Sequence, residues 1–130
     1  MAVLAFSEAQ GAEWKPIGKS DTYEYYYDAE NITRLPGNIV RVWNKAVFND
    51  KGVAEVVREL GSRYKEVYNS VEGYELNCPD KKARPVSLTY YSKKEAILGS
   101  SQSGSFTIEM KWDPIAPETA IELVYKAVCK

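Results

Sequence analysis

Cys78 and Cys129 are the only cysteines in the chain, and the second of them closes an amphipathic stretch. Ile121, Val124, Tyr125 and Val128 recur at helical spacing, Pro117 suits the start of a helix, and Glu118 is a favourable charge in a first turn. The stretch reads as a short helix, and such a helix needs a sheet to cover. A disulfide from Cys129 to Cys78 pins the two together and, by closing the long loop between them, stabilises the fold by about 4 kcal/mol. Two buried thiols or a reactive pair are the alternatives. Redox catalysis usually sets its cysteines close together as CxxC with a lowered pKa, and these are far apart, so the structural disulfide is the favoured reading.

A chain of 130 residues holds one core and one domain. Its 17 basic and 18 acidic side chains nearly cancel, so nothing draws the whole molecule to nucleic acid or to anionic lipid. Partners must be recognised locally. Histidine is absent, which removes Ser-His-Asp and Cys-His nucleophile systems and, with two cysteines, His/Cys zinc sites. Carboxylates such as Asp28, Glu30 and Asp50 stand at no diagnostic spacing, and no phosphate-cradling glycine motif occurs. The chain is therefore read as no enzyme, with no metal and no cofactor.

Met1 to Phe6 is a short apolar run, and Ser7 to Ala12 supplies small residues of the kind that precede a signal-peptidase cut, without the usual basic start. Residues 1–12 are expected to be a residual signal-like or disordered leader, and residues 13–130 the domain. The cysteine pair agrees with export to the periplasm or outer cell surface. No apolar run approaches membrane-spanning length.

Along the chain, Glu13 to Gly18 and Thr22 to Tyr27 form a predicted hairpin, with Tyr23, Tyr25 and Tyr27 on one face of the second strand. Ile32 to Arg34 is a short turn or bridge before the Leu35-Pro36-Gly37-Asn38 turn. Ile39 to Phe48 is the best strand: Val40, Val42, Ala46 and Phe48 share one face, and Arg41, Trp43 and Lys45 share a wet one. The period becomes helical over Val53 to Leu60. Strand character returns from Tyr64 to Cys78 with a bulge or break near Asn69 to Gly73. Arg84 to Ser92 follows with Val86, Leu88 and Tyr90 inward, and then a brief Ala96 to Leu98. Gly99 to Ser105 is a polar loop, and Phe106 to Trp112 a last strand. The terminal helix is expected on the face bearing Leu76, Val86 and Leu88. The fold class is α+β: a curved antiparallel sheet of about six strands packed by a C-terminal helix, with a short helical insert.

The candidate binding surface is aromatic and cationic: Tyr23, Tyr25 and Tyr27 with Arg41, Trp43 and Lys45, able to stack on sugar rings or a protein partner. The bland account is that alternate tyrosines simply cover a sheet face. A second set, Lys81, Lys82, Arg84, Lys93 and Lys94, flanks both ends of one strand; it is either a docking patch for an acidic partner or a pair of charged turns.

The order of several short pieces resembles the bacterial surface-adhesin protein E family. Carriers are Trp14 with Ile17-Gly18, Tyr25-Tyr26-Tyr27-Asp28, Ile32 and Arg34, and Val40-Arg41-Val42-Trp43. They continue through Cys78, Arg84, Tyr90-Tyr91-Ser92, Gly99-Ser100-Ser101, Trp112, Ile115 and Pro117 to Leu123-Val124-Tyr125-Lys126-Ala127-Val128-Cys129. The resemblance implies a curved antiparallel sheet joined to a C-terminal helix by a disulfide at Cys78 and Cys129, an exported domain capable of dimerising, and adhesion. The function expected is a non-catalytic module that recognises a protein or glycan partner at the cell envelope. The alternative is a periplasmic inhibitor or accessory protein of an envelope enzyme, presenting the Gly99 to Ser105 loop.

Overall fold

A computed structural model describes residues 13–102 and 104–130. The expected leader lies outside them. The strands are β1 (Trp14–Lys19), β2 (Tyr23–Asp28), β3 (Thr33–Leu35), β4 (Ile39–Phe48), β5 (Val67–Asn77), β6 (Lys82–Ser92), β7 (Ile97–Ser100) and β8 (Asp113–Pro114). They form one antiparallel sheet in the order β1-β2-β4-β5-β6-β7. Two short strands sit off that path, β3 on the start of β4 and β8 on the start of β6. The helices are α1 (Asp50–Leu60), followed by a 3-10 turn (Ser62–Tyr64), and α2 (Ala120–Val128).

Both helices lie on the same face of the sheet, because that face carries the apolar residues. Val40, Val42 and Ala46 of β4, Leu76 of β5, Ala83 of β6 and Tyr25 of β2 pack with Ile115 and with Val124 and Val128 of α2. Ile121 and Tyr125 join the edge of this core. A second cluster of Val56, Tyr64 and Val67, flanked by Phe48, Tyr90 and Leu98, lies under α1. The helical spacing of Ile121, Val124, Tyr125 and Val128 thus does what it predicts.

α2 is tied down on several sides. Cys129 bonds to Cys78, 51 residues away, with Cα atoms 5.5 Å apart. The Tyr125 hydroxyl donates to the Cys78 carbonyl at 3.0 Å, Arg34 donates to the Val128 carbonyl at 3.2 Å, and Lys81 meets Glu122 at 3.0 Å. Thr119, not Pro117, caps the helix by accepting the Glu122 N–H. Glu122 in turn accepts from the Glu118 N–H, so cap and carboxylate satisfy two otherwise orphaned donors. α1 begins three residues before the expected Val53, since Asn49 accepts the Gly52 N–H and Asp50 favours the first turn.

β5 runs unbroken, and the irregularity expected near Asn69 to Gly73 takes the form of register shifts at both ends of that stretch, with Tyr68 bulging between Val67 and Asn69. Two other expectations fail for identifiable reasons. On β6 an extra residue sits between Pro85 and Ser87, because Gly73 pairs with Ser87 and Tyr74 with Pro85. That bulge switches parity, so Ala83, Pro85, Leu88 and Tyr90 face the helices while Val86 lies on the opposite side with Gly73. α2 therefore meets Leu76 and Ala83, not Val86. Residues 106–112 form no strand; only Asp113 and Pro114 pair, with Ala83 and Lys82. The Gly99 to Ser105 loop starts inside β7, where Gly99 and Ser100 are buried and the Ser101 N–H donates to the Leu88 carbonyl.

Candidate functional site

The face turned away from both helices displays Arg41, Trp43 and Lys45 on β4, as alternation requires. Register sets Tyr26 of β2 beside Lys45, and Glu75 of β5 between Arg41 and Arg84. The other two tryptophans come from separate segments. Trp14 of β1 lies under the Lys45 ammonium at 5.0 Å, and the Tyr26 ring is 6.0 Å from the same ammonium. Trp112 lies under the Arg84 guanidinium at 4.6 Å. All three tryptophans of the chain thus share this side, each half-buried, with a cation over two of them.

At the centre is a clamp. Arg41 donates to one Glu75 oxygen at 2.6 Å and Arg84 to the other at 2.8 Å. The carboxylate is buried and the guanidiniums are not: side-chain exposure is 6% for Glu75, 46% for Arg41 and 37% for Arg84. Burial pushes the Glu75 carboxyl up, but the hydrogen bonds and charges of the two arginines outweigh it and hold the group below the usual range. Two cations against one anion leave a net positive charge, with N–H donors already oriented. Lys45, by contrast, is lowered by burial against its aromatic neighbours.

The six sequence candidates do not make one surface. Arg41, Trp43 and Lys45 stand together on the bare face. Tyr23, Tyr25 and Tyr27 point the other way: Tyr25 is 5% exposed within the core, and Tyr23 and Tyr27 pack against it. The tyrosine that belongs with Lys45 is Tyr26. Trp14, Glu75, Arg84 and Trp112 are assembled only by strand pairing, and the signal for them was the presence of just three tryptophans, none in a run that needs them for the core.

The charged turns also divide. Lys81 is engaged with Glu122 of α2, Arg84 with Glu75, and Lys93 lies 6.0 Å over the Tyr68 ring beyond the far end of β6. Asp28 is spent on structure: it accepts N–H bonds from Glu13 at 3.1 Å and Glu30 at 3.0 Å, and the Asn31 amide at 2.7 Å. Asp50 is the first residue of α1. Among the described residues no three carboxylates or thiols come close enough together to hold a metal ion, and no helix is long and apolar enough to cross a membrane.

No curated protein matches the chain. The structure of Haemophilus influenzae protein E, 14% identical, superposes with a TM-score of 0.52 over 91% of this chain and 91% of that one, which shows a shared fold. The family model described as surface-adhesin protein E matches residues 14–130, and the chain belongs to the surface-adhesin protein E family.

Proposed function

We propose that this adhesin-type domain is an exported, non-catalytic binding module that recognises a protein or glycan partner at the cell envelope through its bare face. The observation that carries the reading is the row of Trp14, Lys45, Trp43, Arg41, Arg84 and Trp112 on the side that neither helix covers. Half-buried aromatic rings beside pre-oriented guanidiniums are the composition of binding hot spots, where a sugar ring or an apolar side chain stacks and an anionic group meets arginine. Because Glu75 already fixes both arginines, little side-chain entropy is lost when a partner docks. Titration of the disulfide-intact protein against envelope fractions and arrayed glycans tests it. Saturable binding lost in the Trp43→Ala/Arg41→Ala double variant supports the bare face; absence of binding, or binding that the double variant retains, overturns it.

A further inference from the structure

The clamp on the bare face uses only part of each arginine. Arg41 reaches Glu75 through its Nε at 3.1 Å and its Nη2 at 2.6 Å, and Arg84 through its Nε at 3.0 Å and its Nη2 at 2.8 Å. Nη1 of neither arginine bonds to any described residue. A guanidinium is a planar fork with donors on two edges, so each arginine keeps its Nη1–Nη2 edge for a second acceptor, already held in place by the first. Both side chains are partly exposed while the carboxylate between them is buried, so these outer edges face solvent.

Elsewhere on this side the strand charges are offset. Lys82 shares the turn between β5 and β6 with Asp80, and Glu95 of the turn between β6 and β7 lies close enough to favour the Lys45 charge. The exposed Glu24 stands opposite Lys19 on β1, three rows along the sheet from Arg41. The uncompensated charge is therefore at the clamp, where two cations meet one anion. Indole rings flank it. Trp112 lies under the Arg84 guanidinium at 4.6 Å, and Trp43, two residues after Arg41, rests over Gly73 with its other face outward. Both are half-buried, so ring surface and donor edges reach solvent side by side.

We propose that the clamp binds a carboxylated glycan, a chain of pyranose rings bearing uronic acid groups. A sugar carboxylate sits on the outer edge of Arg41 or Arg84, and sugar rings stack on Trp43 and Trp112. This rests on the bare face being the partner surface, and it names the partner's chemistry. An acidic peptide fits less well, because the main chain at the site is already spent. β4 pairs with β3 and β5 at Arg41, and β6 pairs with β5 at Arg84 and with β8 just before it, so no extended segment can add itself as a strand. A sugar asks only for rings and donors. Its C–H faces are slightly positive and suit the negative face of an indole, and its carboxylate matches a guanidinium edge two bonds at a time. A neutral glycan leaves the arginine edges unused. β1, which carries Trp14, and β6, whose Arg84 lies on Trp112, are four strand spacings apart, roughly 19 Å, so a chain of several sugars reaches rings that a single sugar cannot.

Calorimetric titration of the intact oxidised protein with tetragalacturonate, neutral maltotetraose and tetraglutamate is the test, with tryptophan fluorescence followed in parallel. Tetragalacturonate is expected to saturate, to shift the emission, to bind at least about tenfold tighter than the other two, and to weaken as salt is raised from about 50 to about 300 mM. Arg84→Lys keeps a charge for Glu75 but loses the fork, and Trp112→Ala removes a ring that lies outside the strands. Each should keep the wild-type circular dichroism and weaken tetragalacturonate about fivefold or more. No saturation below about 10 mM, equal binding of maltotetraose or tetraglutamate, or wild-type affinity in both variants overturns the assignment. If tetragalacturonate fails while envelope fractions still bind and the Trp43→Ala/Arg41→Ala variant does not, only the glycan assignment falls; if envelope fractions fail as well, the partner surface falls with it.

Discussion

Gly73 lies directly beneath Trp43: a Cβ at position 73 would stand 3.1 Å from the edge of the indole and 2.8 Å from the Ser87 hydroxyl. The tryptophan at the centre of the bare face is therefore set at its height by a glycine on the next strand. Gly73→Ala lifts the ring and crowds the β6 bulge at Val86. Overpacking of this kind costs about 1–3 kcal/mol, read as a lower urea midpoint with a changed tryptophan emission maximum.

Removing the disulfide frees the end of α2 and relaxes the unfolded chain. The Cys78→Ala/Cys129→Ala variant should lose about 4 kcal/mol in urea unfolding, and reduction of the wild-type protein should lower its midpoint in the same way. A loss below about 1 kcal/mol would mean that Tyr125, Arg34 and Lys81 hold α2 without it.

The Glu75 clamp makes stability depend on acid. Its folded pKa lies below the unfolded value, so its contribution is complete above the unfolded carboxylate range near pH 4.3 and is lost as pH falls through the folded value. Glu75→Gln flattens the stability profile in that acid window. At neutral pH it costs about 1–2 kcal/mol, between the worth of an exposed pair and a buried one, since both arginines are partly solvated.

Glu72 has the opposite sign. Burial holds its folded pKa above the unfolded value, offset in part by the Tyr25 hydroxyl, so its protonated form favours folding and stability falls as pH rises through the folded pKa. Glu72→Gln should therefore raise Tm at neutral pH, and the difference from wild type should vanish in acid, below about pH 4. Two carboxylates on one strand, three residues apart, would then show contrary pH profiles in the same scan.

The sequence carried the terminal helix, the disulfide and the wet face of β4, because each depends on spacing within one segment or on a count of two cysteines. It misled where the answer depends on pairing. Alternation shows that Tyr23, Tyr25 and Tyr27 share a side, and that Arg41, Trp43 and Lys45 share one. Only the register of Tyr26 against Lys45 shows that these sides are opposite. Likewise, Val86 sits where strict alternation would bury it, and a single bulge opposite Gly73 turns it over. The absent strand at Phe106 to Trp112 has the same origin. The stretch is β-prone, but the start of β6 pairs with Asp113 and Pro114 beyond it, and nearer its middle Leu88 bonds with Ser101 before it.

The disulfide, both helices and nearly all the fully buried aliphatic side chains lie on one side of the sheet. Outside the Glu75 clamp and the Gly73–Trp43 contact, positions on the bare side can accordingly change without touching that core. A lineage under pressure to change what it holds on to can alter Lys45 or Trp112 and leave untouched the contacts that keep Val124 and Val128 in place.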